Sequence, residues 1–168
     1  VDRGRVPTQG TPGQKQDLDF QGVYRIGVDA SLELVARTGF SQPNGLAFSP
    51  DESILYIGDS QERLIWAYEV GKDVSLGNRT LFLDQKDDQR RGSPDGMKVD
   101  SEGRLWTTGA GGISVHTPSG EYLGVFELDE HAANLTFGGP GFSTLFMTAA
   151  TSVYAIETTV RGLVPGSH

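Results

Sequence analysis

Two short stretches of this 168-residue chain set oxygen-bearing side chains in matching surroundings. Pro43-Asn44-Gly45-Leu46 is followed by a turn and the apolar run ILYIGD, and Pro94-Asp95-Gly96-Met97 by a turn and RLWTTG. A weaker third copy opens at Ala133-Asn134-Leu135 and continues TFGGPGFSTLFMTA. Amide and carboxylate oxygens are hard donors. With no cysteine and only three histidines in the chain, such a set suits Ca2+ or Mg2+ better than Zn2+. Taken singly, Asn44 and Asp95 also read as turn residues that cap their own backbone; the repetition argues for a shared role. Asn134 reads either as a substrate contact or as a structural hydrogen bond. Asp59, in YIGDS, either faces the same place from the second strand or starts a turn.

Other chemistries find less support. His116 and His131 are not paired at ligand spacing and read as surface or strand-end residues. Ser60 and Ser93 lack the G-x-S-x-G setting of a serine nucleophile. GAGGIS (109–114) lacks the lysine and following helix of a phosphate loop, so it reads as a turn. A net charge of −8 would repel phosphates, which argues against nucleic acid and acidic membranes as partners. No apolar run approaches the roughly 20 residues of a membrane-spanning helix. The expectation is a soluble protein, cytoplasmic or secreted or periplasmic, since the absence of cysteine leaves the compartment open.

The elements that must position these residues are short. Twenty-three glycines and eight prolines interrupt the chain too often for long helices. Between them lie runs rich in valine, isoleucine, leucine and aromatics, which predict strands. Thirteen are read: 22–28, 32–38, 45–49, 54–59, 63–70, 80–84, 96–100, 104–109, 112–117, 122–128, 133–138, 144–149 and 152–158. Asn44 to Asp95 is 51 residues and Asp95 to Asn134 is 39, about four short strands each. An all-strand period of this length predicts an all-β fold of β-propeller blades, whose innermost strands start beside a central channel. Two complete blades (45–84 and 96–128) are expected between two outer strands at the start and three inner strands at the end. Closed rings need about four to eight blades, so the expected fold is a partial propeller over 22–162. Residues 1–21 are expected to be an irregular segment, and 163–168 a tag remnant or disordered tail.

GVYRI, QPNGLAFSPDESILYIGDS, SPDGMKVDSEGRLWTTGAGGISVHTPSGEYLG and ANLTFGGPGFSTLFMTA together resemble the senescence-marker-protein/gluconolactonase family of six-bladed propellers, over about residues 22–162. More distantly, the layout is similar to diisopropyl fluorophosphatase and paraoxonase. The resemblance implies a metal-dependent lactone hydrolase. Its divalent cation would sit in the channel on a glutamate, two asparagines and an aspartate. Asn44 matches the second asparagine and Asp95 the aspartate; the glutamate and first asparagine belong to blades this sequence does not contain. Ca2+ is the expected ion, with Mg2+, Mn2+ and Zn2+ as alternatives. Asp95 would be both ligand and general base. The implied partners are a small-molecule lactone and either the missing N-terminal half of the ring or a second copy of the chain. The competing functions are a non-catalytic binding propeller and a phosphotriester hydrolase working at the same metal.

Overall fold

The computed structural model describes residues 18–164. Most of the expected N-terminal irregular segment and of the tail, 1–17 and 165–168, lies outside the described residues. Among those described, no helix is long and apolar enough to cross a membrane. Strands β1 (Val23–Ile26) and β2 (Leu32–Ala36) form a two-stranded sheet. β3 (Pro43–Phe48), β4 (Ile54–Asp59), β5 (Leu64–Val70) and β6 (Leu76–Asp84) follow as a four-stranded antiparallel meander. β7 (Met97–Val99), β8 (Leu105–Gly109), β9 (Gly112–His116) and β10 (Tyr122–Glu127) make a second. β11 (Ala132–Gly138), β12 (Thr144–Ala149) and β13 (Val153–Glu157) make a three-stranded sheet. This is the partial propeller expected from the spacing.

The hydrophobic cores lie between sheets, because each strand turns alternate side chains to opposite faces. Val23 packs with Leu55, Ile57 and Tyr68 between the first sheet and the β3–β6 sheet. Tyr56 and Ile65 meet Met97, Val99 and Leu105 across the next gap. Trp106, Ile113 and Val115 meet Leu135, Phe137, Leu145 and Met147 across the last. Each such side chain contributes about 1.5–3 kcal/mol on burial. The β7–β10 sheet is covered on both faces, so β8 and β9 are buried at every position instead of alternating.

Of the two readings of His116, surface or strand end, the strand end holds: it closes β9, and the double cover leaves it buried. Its Nε2 lies 3.1 Å from Ser114 Oγ, and its ring packs against Phe82 and Tyr122. Burial lowers its pKa by disfavouring the imidazolium. β6 differs from expectation: it starts at Leu76, not Thr80. Gly77 and Asn78 read as loop residues, but they sit on the blade's outermost strand, where one edge meets solvent and polar residues are tolerated. GAGGIS is the expected turn, with Ala110 and Gly111 linking β8 to β9 and Gly111 at φ +86°.

Candidate functional site at the start of the inner strands

The inner strands β3, β7 and β11 lie side by side, which brings their first residues together. The approach is closest at two glycines. A methyl group on Gly45 would overlap the carbonyl oxygen of Asp95, and one on Gly96 would overlap Asn134 Oδ1 and stand 2.6 Å from Asn134 Cα. The Gly96 N–H also donates to the Ala133 carbonyl at 3.0 Å. Glycine follows Asn44 and Asp95 because the next inner strand occupies the space a side chain would take. Asn44, Asp95 and Asn134 are therefore successive neighbours along one rim.

Asn44 and Asp95 are each held from behind by a hydroxyl. Asn44 Nδ2 donates to Ser60 Oγ at 3.1 Å, and Ser60 Oγ donates to the Pro94 carbonyl at 2.5 Å. The Asp95 N–H donates to Thr108 Oγ1 at 2.8 Å, while the Thr108 hydroxyl donates to the Ser93 carbonyl at 3.3 Å. Asn44 is exposed and Asp95 half-buried. Sequence reasoning weighed Ser60 only as a nucleophile and did not notice Thr108. The only signal is their place near the ends of second strands, Ser60 just past β4 and Thr108 one residue before the end of β8.

The other two residues fare differently. Asn134 is exposed at the start of β11, and its Oδ1 accepts the Leu135 N–H at 2.8 Å. Its amide group still reaches solvent. Asp59 is fully buried. Its carboxylate accepts the backbone N–H groups of Ser41 (2.6 Å), Gln42 (3.1 Å) and Glu62 (3.1 Å). That is the turn reading; a buried carboxylate committed to three amides is not presented to a substrate. His131 lies exposed in the β10–β11 loop. Among the described residues no three His, Cys, Asp or Glu side chains cluster as a metal site, so any cation here would depend on amide oxygens beside Asp95.

Residues 4–151 match the family model described as SMP-30/Gluconolactonase/LRE-like region. A gluconolactonase of Zymomonas mobilis is 35% identical over 155 residues, covering 88% of this chain and 43% of that protein. A regucalcin of Xenopus laevis is 34% identical over 113 residues, covering 64% and 37%. Among solved structures, the gluconolactonase XC5397 of Xanthomonas campestris superposes with a TM-score of 0.75 at 32% identity, over 95% of this chain and 50% of that one. The chain thus spans about half the length of the relatives it matches. With the repeated inner-strand motifs and the blade topology, these matches place the chain in the SMP-30/gluconolactonase/LRE-like family.

Proposed function

We propose that the chain forms part of the channel of a divalent-cation-dependent lactone hydrolase, with Asn44 Oδ1 and the Asp95 carboxylate as cation ligands. The observation that carries this is the close approach of the two backbones, Gly45 against the Asp95 carbonyl, which sets the two residues side by side on the rim. The donor set fits the ion class. Asn44 Oδ1 has no protein donor among the described residues, because the NH2 of the same amide is the group turned to Ser60. A neutral amide oxygen beside a carboxylate is a hard, oxygen-only set that favours Ca2+, with Mg2+ and Mn2+ next and Zn2+ last. A bound cation would supply Lewis-acid polarisation of the lactone carbonyl.

The chain's own residues do the rest. Asn44 offers a dipole of fixed orientation. Asp95 brings the negative charge and accepts the proton of the attacking water. The ring C–O bond breaks, and that proton passes to the leaving alkoxide, giving the hydroxy acid. A carboxylate beside a cation is a weaker base than a free one, so Asp95 deprotonates only water that is itself acidified. Asn134 is proposed to meet the substrate through its exposed NH2. Excess EDTA should remove all turnover of five- and six-membered lactones, and added Ca2+ should restore it. Full turnover in EDTA would rule the mechanism out.

The partner reading is supported by apolar faces at both ends of the array. Tyr24, Leu34, Ile26 and Leu32 share one face of the first sheet, with Ile26 at 71% and Leu32 at 68% exposure. Phe146 and Val153 share the far face of the last sheet. Further blades covering these faces would continue the packing seen inside. The missing N-terminal half is the favoured occupant over a second copy, since it also supplies the family's other ligands without a new interface. Light scattering should therefore report a species heavier than the 18.1 kDa chain. A well-folded monomer of that mass would refute both versions.

A further inference from the structure

We propose that the Ser60 hydroxyl is a positioning group that sets which face of the Asn44 amide is presented to the channel. The inference rests on the reading of Asn44 and Asp95 as cation ligands, and it follows from counting protons. A hydroxyl has one proton to give. The Pro94 carbonyl can only accept, and it lies 2.5 Å from Ser60 Oγ, so the Ser60 proton is committed there. The remaining partner of Ser60 must then be a donor. That partner is Asn44, at 3.1 Å, so its NH2 faces Ser60 and its Oδ1 faces the opposite way. Without this contact the amide is free to turn by 180°, which would aim two N–H donors where a cation needs an oxygen.

The same hydroxyl reaches the ligand on the next blade. The Pro94 carbonyl belongs to the peptide that leads into Asp95, so one side chain ties Asn44 and the Asp95 segment across the gap between blades. Ser60 is itself held in place. Its N–H donates to the Gln42 carbonyl at 3.0 Å. The buried Asp59 carboxylate fixes Ser41, Gln42 and Glu62 on either side of it. Asp59 thus acts on the site through the turn it organises.

The test uses the full chain and two readouts. In metal-free protein, one proton of the Asn44 side-chain NH2 should be shifted from its free-amide position and slow to exchange with water in a 15N-resolved NMR spectrum. Ser60→Ala should return it to free-amide shift and exchange, and Ser60→Thr, which keeps the hydroxyl, should restore it. In calorimetric titration with Ca2+, Ser60→Ala should weaken binding by about tenfold, the lower end of what loss of an outer-shell partner costs. In an Asn44→Ala background the same change should cost nothing more, since both act through one amide. Unchanged NH2 signals in Ser60→Ala, or independent, additive losses in the double variant, would overturn the proposal. If Asn44→Ala and Asp95→Ala leave Ca2+ affinity at the wild-type value, it is the cation reading that falls. The metal-free spectrum still decides whether Ser60 orients the amide.

Discussion

Asp95→Ala should abolish measurable Ca2+ binding and reduce lactone turnover by at least about 10²–10³-fold, the scale of losing one electrostatic stabiliser at a reacting centre. The reason is charge. Asn44 and Asn134 are neutral, and the buried Asp59 carboxylate is committed to backbone amides, so Asp95 is the anion that the three inner strands bring to the rim. Asn44→Ala removes a dipole and should weaken both properties less. The backbone should tolerate either change, because Asp95 is held through its N–H by Thr108 and not through its carboxylate alone. Calorimetry with Ca2+, run beside a thermal melt, checks this. Unchanged affinity in both variants at unchanged stability would show that the cation, if one binds, sits elsewhere.

Asp100→Ala should lower stability by about 3–5 kcal/mol, since each buried donor left without an acceptor costs about 1–3 kcal/mol. Domains are stable by about 5–15 kcal/mol in total, so this is a large share. The Asp100 carboxylate is fully buried. It accepts the Glu102 N–H (2.9 Å), the Arg104 N–H (3.0 Å), Arg104 Nε (2.7 Å) and Trp106 Nε1 (2.8 Å). Alanine would leave four donors without their acceptor, including the indole of a ring stacked on Phe126 and edge-on to Phe137. Asp100→Asn should cost less, since its amide keeps one acceptor oxygen but turns an NH2 toward donors. Urea unfolding should show a lower midpoint at unchanged slope. A midpoint within error of wild type would show that the hub adds nothing net.

The strands were legible because glycine and proline punctuate them and β-branched and aromatic residues fill them. β5 shows the strength of that signal, since Leu64, Trp66, Tyr68 and Val70 alternate as a strand demands. The start of β6 was hidden because Gly77 and Asn78 look the same in a loop and on a solvated outer strand. Asn44, Asp95 and Asn134 stood out through their repeated setting, whose cause is the Gly45–Asp95 and Gly96–Asn134 approach. The fate of Asp59 was not legible. The same YIGDS suits a channel strand and a turn, and the choice is made by three backbone amides, two of them from the segment leading into β3. Ser60 was missed for a related reason. Its decisive acceptor, Pro94, lies 34 residues away on another blade, and no local pattern records such a pairing.

The placement of every core between neighbouring sheets has a consequence for how the chain comes apart. Each sheet is stabilised by the one before and the one after, so cooperativity passes along a nearly one-dimensional array. The β7–β10 sheet has both neighbours and holds the fully buried β8 and β9; the β1–β2 sheet and the β11–β13 sheet each have one. Without further blades against its end sheets, the chain should open by unzipping from those ends, with amide exchange fastest in β1, β2 and β13 and slowest around Leu105 and Ile113. The rim residues ride on that gradient. Asn44 lies on the second of the four sheets and Asp95 leads into the third, each one sheet from an end, so the junction between them is lost only after an outermost sheet has let go.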